Sequence, residues 1–115
     1  MQTVLVTPTF ERQAAKAALS DEEVADIISA LAADPLSGDV IPGTGGARKL
    51  RFARQGSGKS GGYRTIHYFG GNHVPIFLLA LIDKRKMANL TKAERNELAI
   101  ILPQIAEAYR KGQTK

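Results

Sequence analysis

ARKLRFARQGSGKSGGYRTIHYF, residues 47–69, decides how the fold is read. Two runs of strand composition, about Ala47–Arg54 and Tyr63–Phe69, flank Gln55–Gly62, a Gly/Ser loop that is flexible by composition. Side chains of a strand alternate between its two faces. Leu50 and Phe52 therefore take the core side, and Lys49, Arg51 and Ala53 the other; Arg48 and Arg54 share the core-side parity but sit at strand ends, within reach of solvent. In the second run Arg64, Ile66 and Tyr68 share one face, and Tyr63, Thr65, His67 and Phe69 the opposite one. No acidic residue occurs from Val40 to Ile82. With Asp83 and Lys84-Arg85-Lys86 added, residues 40–86 hold nine basic residues and one acid, net +8 in a chain of net +5, so the remainder sums to −3. Positive charge concentrated in this way on a small sheet predicts a polyanion partner, nucleic acid first.

Outward from the hairpin, Thr3–Thr7 (TVLVT) is β-branched and stops at Pro8, a short first strand. Phe10–Ala18 is Ala-rich and predicts a helix with Thr9 as its N-cap. Ser20-Asp-Glu-Glu23 has capping-box spacing, and Val24, Ile27, Ile28 and Leu31 follow at helical intervals until Pro35 ends the second helix. Residues 36–46 carry turn chemistry and read as a loop. On the other side, Gly70-Gly-Asn72 turns the chain into an apolar strand, Val74–Ile82, with Pro75 at its start, where a lost ladder donor matters least. Thr91-Lys-Ala-Glu94 is a second capping box, opening a C-terminal helix whose apolar stripe runs through Leu98, Ile101, Leu102, Ile105 and Tyr109. Pro103 within that stripe predicts a kink or a split. The expected fold is α+β: a small, mainly antiparallel sheet in the order β-α-α-β-β-β-α, helices packed on one face, residues 1–115 forming a single domain.

Several chemistries are excluded by composition or spacing. There is no cysteine, hence no disulfide and no thiolate metal site. Val74–Ile82, the longest apolar run, is too short to span a bilayer, and the first ten residues lack a signal-peptide pattern, so a cytoplasmic location is expected. Gly56-Ser-Gly-Lys59-Ser60 imitates the end of a P-loop, but Ala53 stands where its first glycine belongs, and a strand follows where a helix N-terminus must present amides to phosphate. His67 and His73 have no companion ligands for a metal; His67 reads as a packed strand histidine and His73 as a solvated turn residue. The acids gather at helix N-termini (Asp21, Glu22, Glu23; Glu94, Glu97), where capping and the helix dipole account for them. No cofactor is expected, and any chemistry falls to arginine and lysine.

GDVIPGTGGARKLRFA, then GKSGGYR-x-I-x-YF, an apolar strand, and a terminal L-T-x-x-E-R resemble the RelE/ParE superfamily of toxins, in its HigB-like branch. The resemblance covers about residues 38–98 and implies a small α+β domain, cleavage of mRNA on the translating ribosome, and a type II antitoxin partner, a helix-turn-helix protein in that branch. By position it makes Lys49, Arg51, Arg64 and the post-strand cations Lys84 and Arg85 the catalytic set. RNA supplies its own nucleophile, the 2′-OH, so metal-free cleavage asks only for alignment and stabilisation of the phosphorane. Arg51 and Arg64 are expected to grip the phosphate and Lys49 to act as general base. Arg48, Arg54, Lys59 and Lys86 are expected to touch mRNA or ribosomal RNA; Tyr68 has the parity to stack a base, with a core role as its other use. Three positions depart from the family pattern: Thr91 replaces a stacking tyrosine, Ile82-Asp83 an aromatic before the post-strand lysine, and Lys86 a glutamate. Two alternatives share the scaffold, a ParE-like gyrase poison and a catalytically weak RNA-binding module.

Overall fold

A computed structural model describes residues 3–52, 62–71, 74–83 and 90–113, with side chains through Tyr109. Its elements run β1 (Val4–Val6), α1 (Pro8–Lys16), α2 (Asp21–Ala33), β2 (Asp39–Val40), β3 (Arg48–Phe52), β4 (Tyr63–Tyr68), β5 (Ile76–Asp83) and α3 (Lys92–Gln113). The strands form one sheet in the order β1-β5-β4-β3-β2, with β1 parallel to β5 and the other pairs antiparallel. The expected α+β class and element order hold, with β2 added. Among the described residues no helix is long and apolar enough to cross a membrane.

One expectation about packing is overturned. The helices do not share a face: α1 and α2 cover one side of the sheet and α3 the other. Phe10, Ala14, Ile27 and Leu31 pack with Tyr63, Leu78 and Leu81, whereas Leu102 packs with Ala47, Ile66 and Ile82. The reason lies in β5, which is apolar on both parities, and in β4, where Ile66 on one face and Tyr63 on the other are both buried, so each face must be covered. A register shift at Ile66/His67 assists. Ile66 pairs with Ala80 but His67 with Leu78, so Leu79 is bulged out and Leu78 and Leu81, three apart, reach the same core.

Local signals explain the helices, with three corrections. The N-cap of α1 is Thr7 rather than Thr9: its Oγ1 accepts from the Phe10 amide at 3.3 Å and donates to the Leu78 carbonyl at 2.9 Å. Pro8 follows at N1, where its fixed φ fits and its missing N–H costs nothing. Both capping boxes form as expected, at Ser20/Glu23 and Thr91/Glu94. The helix α3 continues through Pro103, so of the two expected outcomes, a kink or a split, the split does not occur. Finally, the stretch 36–46 is not wholly loop. Asp39 and Val40 pair with Lys49 and Arg48. Gly38, at φ +81°, makes the entry, and a Cβ there would overlap the Lys49 carbonyl oxygen.

Candidate functional site

The register of β3 and β4 assembles three of the expected site residues. Lys49 and Arg51 lie two apart on one face of β3, and Arg51 is the direct cross-strand partner of Arg64. Lys49 is opposite Ile66, and Arg64 opposite Ile82, both in the core beneath α3, which fixes the face all three cations share. Directly opposed residues have Cα atoms about 4.5–5.5 Å apart, and i, i+2 residues about 6.8 Å. The three cations therefore spring from a triangle of roughly those sides. Arg51 is exposed; Lys49 and Arg64 are half-buried. Like charges directly opposite on a sheet are destabilising, so an Arg51–Arg64 pair with Lys49 beside it suits a surface that meets an anion.

Other expected contacts are not brought to this place. Arg48 points to the opposite face with His67, and its Nη1 donates to the carbonyls of Leu36 and Gly38 at 3.0 and 3.1 Å. It braces the approach to β2. The Tyr68 ring lies between Gly46 and Gly70: a Cβ at Gly46 would stand 3.4 Å from Cε1 and one at Gly70 3.1 Å from Cε2. Tyr68 thus serves the core beneath α3, the second of the two uses expected for it. Arg54, Lys59, Lys84, Arg85, Lys86 and His73, with the P-loop-like Gly56–Ser60, lie outside the described residues.

His67 is a core residue, as its strand parity suggests. It is fully buried, and Nε2 lies 3.1 Å from the Pro35 carbonyl. Burial pushes its pKa below the usual 6.5, opposed by the Pro35 bond, with the nearby Arg48 charge lowering and Asp34 raising it. A pocket of about 310 Å³ beside β5 is lined by residues of both α1 and α3, Thr9, Gln13, Glu94, Glu97 and Leu98 among them, and none of the three cations lines it. Among the described residues no three His, Cys, Asp or Glu side chains are grouped as a metal site would require.

The family model for the RelE toxin of the RelE/RelB toxin–antitoxin system matches residues 2–114. The chain belongs to the RelE toxin family. It is a toxin of a toxin–antitoxin pair, and its partner is an antitoxin. In this RelE toxin, Thr91 caps α3, its Oγ1 accepting from the Glu94 amide at 3.1 Å, so the position that departs from the resemblance is occupied by a structural role. One residue near the RelE toxin's cation triangle was not among the expected site residues, although it lies in the motif that carries the resemblance. Asp39 is exposed and directly opposite Lys49. The acid-free stretch begins one residue after it, and only the β2–β3 pairing returns it to the cations.

Proposed function

We propose that this RelE-family toxin is a ribosome-dependent mRNA endoribonuclease that halts translation in the cytoplasm. The observation that carries this reading is the directly opposed pair Arg51 and Arg64, with Lys49 one step along the same face. A strand phosphate satisfies such a triangle. Two guanidinium forks match its non-bridging oxygens, and the geometry tightens as the phosphorane gains charge. The 2′-oxygen attacks the adjacent phosphorus, the bond to the 5′-oxygen breaks, and a 2′,3′-cyclic phosphate and a 5′-hydroxyl result. The messenger is presented by the ribosome, which contributes the alignment a small protein cannot. Arg54 and Lys59, beside and within the Gly/Ser loop, with Lys84, Arg85 and Lys86, are assigned to contacts with RNA. The likeness of about residues 38–98 to the HigB-like branch supports a helix-turn-helix antitoxin.

The test is to map message 5′ ends in a translation reaction containing the purified toxin, beside Arg64→Ala. The wild type should create new ends only with ribosomes present, and the variant should cleave about 10²- to 10³-fold more slowly, the loss typical of one preorganised transition-state donor. Growth inhibition should fall with it. An Arg64→Ala protein as active as wild type would remove the proposed site. Inhibited gyrase supercoiling with no new 5′ ends would replace the reading with the ParE-like one.

A further inference from the structure

We propose that Asp39 is the general base of this site, the group that takes the proton from the attacking 2′-hydroxyl; the inference rests on the cleavage reading above. The strand register carries it. Asp39 and Lys49 are direct partners, so both side chains leave the same face of the sheet, and the diagonal from Asp39 to Arg51 spans about 7–8 Å between Cα atoms. That is the scale of one nucleotide's ribose beside its phosphate. A phosphate gripped by Arg51 and Arg64 thus leaves the edge of the sheet, where Asp39 stands exposed, open to the sugar.

The position of Asp39 is built. Gly38 lies so close to the Lys49 carbonyl that no side chain fits there, and its φ of +81° suits glycine. Arg48, on the far face, holds the carbonyls of Leu36 and Gly38. On the other flank the Ile41 amide donates to Ala47 at 2.8 Å, and the buried Thr44 closes the turn through bonds of 2.7 and 3.0 Å. A two-residue edge strand is thereby fixed on both sides, although nothing in its own composition favours a strand. The other acids are less suited. Asp83 pairs with Tyr63 and so leaves the α1/α2 face. Glu94 receives the Thr91 amide at 2.8 Å, and Glu97 belongs to the cleft beside β5, across β4 from β3.

The step balances without an added reactant. The 2′-OH proton passes to the Asp39 carboxylate as the 2′-oxygen bonds to phosphorus, and the departing 5′-oxygen takes a proton from the Lys49 ammonium. Proton exchange with water returns both groups to their starting forms. The base role given to Lys49 from sequence alone thus moves to Asp39, and Lys49 becomes the donor.

The experiment compares wild type, Asp39→Asn, Asp39→Ala, Asp39→Glu and, as a neighbouring-acid control, Glu97→Gln in single-turnover cleavage of ribosome-bound message, with ribosome affinity and thermal melting measured on the same proteins. Asp39→Asn should bind and melt as wild type while cleaving about 10²- to 10⁴-fold more slowly, the span of a lost general base. Asp39→Glu should recover part of the rate, and added formate should accelerate Asp39→Ala several-fold without affecting Asp39→Asn. A structural role for Asp39 would give no formate rescue. If Asp39→Asn cleaves at the wild-type rate, or Glu97→Gln alone loses activity, the assignment is wrong and the cleavage reading stands. A wild type that cuts nothing removes both.

Discussion

Nε2 of His67 faces the Pro35 carbonyl, which can only accept, so the neutral ring carries its proton on Nε2. Protonation at Nδ1 would then create a cation in a fully buried position where that nitrogen has no partner among the described residues. The unfolded chain therefore binds the proton more readily than the folded one. Stability is complete above the unfolded value near 6.5 and falls as pH drops through it toward the lower folded value. The expected slope is at most about 1.4 kcal/mol per pH unit, one proton's worth. Urea melts between pH 7.5 and 5 should show this loss, and His67→Gln should flatten it. An unchanged slope in the variant would mean that another group carries the acid sensitivity. The sequence showed His67 and Tyr68 on opposite faces. That His67 is tied to a helix end at Pro35, and that Gly46 closes over the Tyr68 ring, depends on chain segments more than 20 positions away.

At the scale of elements, the two capping boxes were legible because such a box is a local contract. Ser20 with Glu23, and Thr91 with Glu94, need nothing beyond four consecutive residues. The edge strand β2 was not legible, because two residues of mixed type form a strand only when a partner is already in place. Pro103 belongs between these cases. Its effect on a helix is predictable, but whether the helix breaks depends on what holds both halves. Here Leu102 and Ala106, on either side of it, are both buried against the sheet, and a Cβ at Gly70 would meet that of Ala106 at 3.1 Å. Packing outweighs the lost bond. Pro103 itself is exposed, so Pro103→Ala should restore a backbone hydrogen bond and stabilise by about 1–3 kcal/mol, read as a higher Tm. A lower Tm would show that the interrupted ladder is needed for the fit of α3.

Over the whole molecule, charge and topology work together. The sheet order puts β3 and β4 side by side and brings the end of β5 next to the start of β4, so Lys49, Arg51 and Arg64 share one surface. Binding to single-stranded RNA releases counterions, with a slope in log K against log salt of about −0.7 per phosphate neutralised. Replacing Lys49, Arg51 or Arg64 by alanine should each reduce the steepness of that slope by about 0.7 for ribosome-bound message. Arg12→Ala, an exposed change on α1 and so on the other side of the sheet, should leave it unaltered. Equal effects from all four would mean that overall charge, not the face, sets the affinity.

The amino-acid sequence by itself determined the α+β class, both capping boxes, the parity that separates Lys49 and Arg51 from the core residues Leu50 and Phe52, and the concentration of positive charge. Each is a short-range property, set by periods of two or about four residues or by simple counting. Tertiary structure alone decided that α3 covers the opposite face from α1 and α2, that Leu78 and Leu81 share a core, that Arg48 braces a loop, and that Asp39 stands opposite Lys49. Those facts depend on which strands pair and in what register. Register is a collective choice among distant segments, made by burying both faces of the central strands at once, and no local pattern encodes it.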